Sequence, residues 1–189
     1  MMYLLSAEAL VNDIALHPVD RAASVVPGCV DFGKTECFHA CLRASSQLLD
    51  TWFTFTPGEL AGLPLQLHML FARCTLILYR LSLTDDPAWD RAAIGSSVDL
   101  LAAVEKAADM YAAVPGAIGL ETDGSDMYSR SGGALRGTLP IWRKALEEAG
   151  VVTGVPGNLD AAGGVGDLAA MDFSFDAWLN DSFAPFNTF

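Results

Sequence analysis

Apolar side chains recur along this chain at intervals of three and four residues almost from end to end, with little of the alternation that a half-buried strand shows. The period predicts an all-α fold: a bundle or array of about five to six helices, a Gly-rich linker and a C-terminal acidic-aromatic helical tail. A first helix is expected within residues 3–16, with Leu4, Leu5, Leu10, Val11 and Ile14 in one stripe. His17-Pro18 ends it, because proline disfavours helix in the residue before it. Residues 18–33 read as loop. From about Lys34 to Phe55 the pattern is strongly amphipathic, placing Phe38, Cys41, Leu42, Ser45, Leu48, Leu49 and Trp52 on one face and Arg43, Gln47 and Asp50 on the other.

Pro57-Gly58 breaks that helix, and Pro64 is placed to open the next at a first-turn position, where its missing N–H costs nothing. Residues 64–83 are apolar nearly all round, the mark of a central helix covered on several sides. Asp85-Asp86-Pro87 is a further start signal for a helix or helix pair over 87–114, expected to stop at Pro115-Gly116, with Ile94, Val98, Leu101, Val104 and Ala108 inward. A last helix over 125–149 carries Gly132-Gly133 and Pro140, turns Trp142 and Leu146 to the core, and meets Gly150 as a natural C-terminal cap. Residues 1–149 thus read as one helical domain. Residues 150–166, rich in glycine, read as a flexible linker, and residues 167–189 as a separate segment.

Charge sharpens the picture of that segment. Residues 145–189 hold seven acids and no base, so they carry −7 of the net −12 of this 189-residue chain. From Asp167 to Phe189 the acids are interleaved with bulky apolar side chains, a composition typical of acidic activation or docking segments. On a helix, Phe175, Trp178, Leu179 and Phe183 share one face, flanked by Asp176 and Asp181; with Phe173 they are the candidate partner-binding residues, ordered on binding. A core helix packed on the bundle is the plainer reading of the same rings. An excess of acid excludes affinity for nucleic acid phosphates or anionic membranes, which rests on lysine and arginine.

The 52% of hydrophobic residues is enough to fill a core, but it contains no membrane span. The richest stretch, Leu60 to Leu83, is interrupted by Gln66, His68, Arg73 and Arg80 before the roughly 18 uncharged residues needed. The first residues lack the basic region and cleavage site of a signal peptide, so an intracellular protein is expected. Cys29, Cys37, Cys41 and Cys74 are too sparse for a disulfide scaffold and read as core thiols.

Little in the chain supports catalysis. Gly28-Cys-Val-Asp-Phe-Gly33-Lys34-Thr35 satisfies the phosphate-loop pattern literally, but no buried strand precedes it and Asp31 would sit among the amides meant for phosphate. A loop capping the following helix is the better reading. Cys37 and Cys41 lie one turn apart while His39 points elsewhere, and no second pair of short spacing completes a zinc site. Glu121, Asp123 and Asp126 around Gly124 do not have the spacing of an EF-hand. No metal, cofactor or catalytic residue is assigned to this segment. His68 and Arg73, polar groups on the most apolar helix, must be paired or line a ligand pocket, and they define the alternative of a small-molecule-sensing domain.

Three stretches carry a resemblance: Leu5-Ser-Ala-Glu-Ala-Leu-Val-Asn-Asp-Ile-Ala-Leu-His-Pro18, Glu36-Cys-Phe-His-Ala-Cys-Leu-Arg-Ala-Ser-Ser-Gln-Leu-Leu-Asp-Thr-Trp-Phe53, and Leu70-Phe-Ala-Arg-Cys-Thr-Leu-Ile-Leu-Tyr-Arg-Leu-Ser-Leu83 followed by Asp86-Pro-Ala-Trp-Asp90. With the ending Phe173-Ser-Phe-Asp-Ala-Trp-Leu-Asn-Asp181, the chain resembles the C-terminal helical region of fungal binuclear-zinc-cluster transcription factors. The resemblance implies a nuclear transcriptional regulator whose last segment meets a coactivator or other transcription-machinery protein. A second copy of the chain is the other partner considered. The six-cysteine DNA-binding cluster of that family has no counterpart in these residues, so the expectation is a C-terminal portion that makes no direct contact with nucleic acid.

Overall fold

In a computed structural model the described residues are 1–13, 32–86 and 89–151, and all regular structure among them is helical, with no strand. The predicted loop up to Asp31, the linker beyond Val151 and the whole of 167–189 lie outside the described residues. The elements are α1 (Met2–Asp13), α2 (Phe32–Trp52), the single turn α3 (Pro57–Leu60), α4 (Leu65–Leu83), α5 (Ala92–Ser97), α6 (Leu100–Ala117) and α7 (Met127–Glu148). They fall into two units. One comprises Met1–Phe55 and Leu63–Ala103, the other Thr56–Gly62 and the chain from Val104 onward.

In the first unit α1 packs along α2, and both pack on α4. The face of α2 read from the sequence is the buried one: Phe38, Cys41, Leu42, Ser45, Leu48, Leu49 and Trp52 are buried, while Arg43, Gln47 and Asp50 are exposed. α4 is central, with every residue from Cys74 to Tyr79 buried. Pro64 caps it from outside the first turn, its carbonyl accepting the Leu67 N–H at 2.9 Å. Trp52 stacks on Phe71 with ring centroids 4.5 Å apart and meets His68 edge-on at 5.2 Å, locking the end of α2 to the start of α4. Beyond α4, buried Trp89 donates its indole N–H to the Leu81 carbonyl at 3.0 Å and lies edge-on to Phe38, which ties the chain back before α5.

The inward face of α1 differs from the expected stripe. Leu4 is 76% exposed and Val11 68%, and Leu10 is half-buried, whereas Met2, Leu5, Ser6, Ala9 and Asp13 are buried. Two physical demands turn the helix that way. Ala9 is small enough for α2 to come close, so that the Cys41 thiol donates to the Ala9 carbonyl at 3.4 Å. Asp13 must also reach the arginines of α4, and leaving those cations unpaired inside would cost more than exposing two aliphatic side chains.

In the second unit the expected stop at Pro115-Gly116 is overrun. Pro115 sits in the last turn of α6 and the helix ends at Ala117. Gly119, at φ +69°, lets the Leu120 N–H close on the Pro115 carbonyl at 2.8 Å and its own N–H on the Gly116 carbonyl at 3.3 Å. The same arrangement at Gly150, φ +72°, ends α7, as its sequence position indicated. The turn α3 rests on a capping box: the Thr56 hydroxyl accepts from the Glu59 N–H, and the Glu59 carboxylate accepts from the Thr56 N–H. Asp126 caps α7 by accepting from the N–H groups of Tyr128 and Ser129, and the Tyr128 hydroxyl donates to the Ala61 carbonyl. α6 and α7 meet where Gly132 faces the backbone of Ala108 and Ala112, so close that a Cβ there would stand 2.9 Å from the Ala108 oxygen. Trp142 and Leu146 are buried as expected.

Candidate functional site

Phe173, Phe175, Asp176, Trp178, Leu179, Asp181 and Phe183 lie outside the described residues, so the geometry available is that of the helices. Their most distinctive polar feature is a buried carboxylate between two guanidinium groups. Asp13 at the end of α1, with a side chain only 4% exposed, lies 3.3 Å from Arg73 and 3.5 Å from Arg80. The arginines are seven residues apart on α4, two helical turns, so they project from the same side. One Nη of Arg73, a residue expected to be paired or to line a pocket, thus pairs with Asp13. Asp13 itself was missed. Its signal was the Arg73–Arg80 spacing, which calls for an acid on whichever helix covers that side of α4.

His68 is buried against Trp52, and about 140° of helical rotation separates it from Arg73. The two candidate pocket residues therefore point to different flanks of α4. The thiols of Cys41 and Cys74 are buried in the same region as Asp13; burial first, and the nearby carboxylate after it, push both up to about 12. Burial thus disfavours in both the thiolate form that nucleophilic attack requires. His39 is exposed and packs edge-on to Trp89, away from Cys41. Among the described residues no group of three or more His, Cys, Asp or Glu side chains could hold a metal ion. No helix among them is long and apolar enough to cross a membrane.

The end of the phosphate-loop string, Gly33-Lys34-Thr35, lies inside α2. Lys34, which would face the nucleotide in such a loop, pairs with Asp86 at 2.7 Å and stands 5.4 Å from the centre of the Phe38 ring. Of the acidic loop, Asp126 serves as the α7 cap and Asp123 accepts from the Ser125 N–H, so two of its three carboxylates fix the backbone locally. Partial burial pushes the Asp126 carboxyl up, but hydrogen bonds from Ser129, Thr122 and Tyr128 outweigh it and hold it down at about 2.

On the surface α7 stands out by charge. It carries Arg130, Arg136, Arg143 and Lys144, four of the chain's 11 basic residues, all exposed, with Ile141 54% exposed between them. The apolar period of α7 picks out its core residues and carries no signal for this outward side.

Transcription factor opdL of Penicillium oxalicum is 31% identical over 126 residues, which is 65% of this chain. The chain spans about 22% of that protein's length. The likeness to a fungal transcription factor expected from the helical stretches and the acidic-aromatic ending is thus found. No solved structure matches the chain at a significant level. A family model described as the ATEG07667_C C-terminal domain matches residues 57–189, from α3 through α7 and on across the glycine-rich and acidic-aromatic stretches. With that match covering most of its length, the chain belongs to the ATEG07667_C C-terminal domain family.

Proposed function

We propose that this chain is the C-terminal regulatory region of a nuclear transcription factor, and that residues 167–189 present an acidic-aromatic face to a coactivator. The observation that carries the reading is the 31% identity to Transcription factor opdL. Three features of the residues support it. Among the described residues the helices supply buried ion pairing and apolar packing, the make-up of a scaffold. Residues 167–189 combine four acids with Phe175, Trp178, Leu179 and Phe183 at the spacing of one helical face. The family match extends through that segment to Phe189.

The division of labour follows from physical chemistry. Residues 167–189 place their rings at the spacing of one helical face, and a single short helix has no second element of its own against which to bury that face and offset its ordering entropy. Its rings gain their burial on a partner's groove, and its acids raise the encounter rate with a basic rim. The test is a reporter assay with residues 1–189, 1–166 and 167–189 each fused to an unrelated DNA-binding domain. Activity should follow 167–189 and fall to near background in Phe175→Ala with Trp178→Ala. Full output from that double variant at equal expression would sink the reading.

A further inference from the structure

Among the described helices of this strongly acidic chain, α7 holds the most basic residues. Over Met127–Glu148 four bases face two acids, whereas the whole chain is at −12. At 100° per residue, Lys144 lies opposite buried Leu135, Trp142 and Leu146, with Arg136 and Arg143 about 80–100° from that core line on one flank and exposed Ile141 and Arg130 about 120–140° from it on the other. Arg136 pairs with Asp109, but the two side chains are 49% and 66% exposed, and Lys144 reaches Glu148 only at 3.9 Å. Exposed pairs of this kind contribute little and exchange readily for other carboxylates.

The chain itself supplies those carboxylates. Residues 152–189 contain five acids and no base, and they begin directly after α7 ends. Eighteen residues, Ala149 to Gly166, separate the helix from Asp167. For a glycine-rich stretch of that length the root-mean-square span is about 22 Å, against about 33 Å for the full length of α7. Residues 167–189 can therefore lie back along Lys144, Arg143 and Arg136 without strain. A tether of this length sets an effective concentration in the millimolar range, so even a weak charge-driven contact is largely occupied in cis.

We infer that the outward face of α7 is the docking site of this chain's own acidic-aromatic segment, residues 167–189. Asp172, Asp176 and Asp181 meet Arg136, Arg143 and Lys144, and Ile141 receives a ring from Phe175 or Trp178. A coactivator must then compete with α7 for the same residues. That consequence rests on the activation reading above; the docking does not.

The test uses the full chain with Trp178→p-benzoylphenylalanine, irradiated and mapped by mass spectrometry. Crosslinks should concentrate within residues 127–148 of the same molecule. They should drop severalfold in about 0.5 M salt, where screening acts within a few ångströms, and in Arg136→Glu with Arg143→Glu. Should that variant lose its helical circular dichroism, the neutral pair Arg143→Gln with Lys144→Gln takes its place. Crosslinks to α1, α2 or α4, crosslinks between light and heavy copies in a mixed sample, or a yield on α7 indifferent to salt would each overturn the docking. The reporter separates the two ideas. If residues 167–189 activate alone, the charge reversal on the full-chain fusion should raise output about threefold or more. Crosslinks to α7 with a silent segment would leave the docking standing and remove the activation reading; an active segment without those crosslinks would do the reverse.

Discussion

Gly132 and Gly133 are neighbours on α7, yet the same substitution should act on them with opposite sign. An alanine Cβ at Gly132 would stand 2.9 Å from the Ala108 carbonyl oxygen and 3.4 Å from the Ala112 nitrogen, both backbone atoms of α6. Neither can rotate away, so α6 and α7 must separate. At Gly133 a Cβ meets nothing within 4 Å. Replacing glycine by alanine inside a helix gains about 1 kcal/mol from the smaller entropy loss on folding. At Gly133 that gain stands alone, and the protein should be stabilised by about 0.5–1 kcal/mol. At Gly132 it is set against overpacking of about 1–3 kcal/mol, borne at the upper end because backbone meets backbone. The net effect there is a loss of up to about 2 kcal/mol, so the two variants should differ by about 1–3 kcal/mol. Urea unfolding followed by far-ultraviolet circular dichroism reads this as a lower midpoint for Gly132→Ala and a higher one for Gly133→Ala. With a slope of about 2 kcal/mol per molar, the midpoints separate by about 0.5–1.5 M. Midpoints that rise together would refute the close crossing of α6 and α7.

Asp13→Asn should cost about 2–4 kcal/mol, less than a fully buried pair because Arg73 is 34% exposed and can rehydrate. In a double-mutant cycle the coupling of Asp13 with Arg80→Met should exceed that with Arg73→Met, since the Arg80 side chain is 14% exposed; equal destabilisation with no coupling would count against the clamp. The Asp126 carboxyl is depressed to about 2, so its contribution is fully present above the ordinary carboxylate range and lost as pH falls from about 4 toward 2. Asp126→Asn, which still caps, should flatten that acid limb, and Asp126→Ala should cost about 1 kcal/mol at neutral pH; an unchanged limb in Asp126→Asn would assign the acid sensitivity elsewhere. Cys41 and Cys74 should resist iodoacetamide at pH 8 in the folded protein and react on unfolding, while half-buried Cys37 is modified before either of them. Peptide mapping after a short pulse checks the order.

Much of the fold was legible because periodicity reports burial directly where a helix has one apolar face. α2 is the clearest case, with Phe38, Cys41, Leu42, Ser45, Leu48, Leu49 and Trp52 all inward as their spacing required. The run 64–83 had too few polar positions to face water anywhere, so its centrality followed from composition alone. Gly150 ended α7 because it can take positive φ. The capping box at Thr56 and Glu59 was also written in the sequence, in the spacing of a threonine and a glutamate around Pro57-Gly58, but the proline and glycine were read there as a break.

What the sequence by itself determined is the helical class, the amphipathic and central helices, the polarity of the chain's ending and the likeness to a fungal transcription factor, since each depends on local spacing or composition. The tertiary structure decided which side of α1 turns inward, where α6 stops, and what Asp13, Arg73 and Arg80 do for one another. α1 has apolar residues all around it, so its own pattern leaves the choice open; a carboxylate 60 residues from the nearer arginine in the chain made it. α6 passes Pro115 because a proline in the last turn gives up a single hydrogen bond, and Gly119 then closes the end. Long-range pairing and the fit of one backbone against another, as at Gly132 and Ala108, have no local period, and they arise only once the helices are packed.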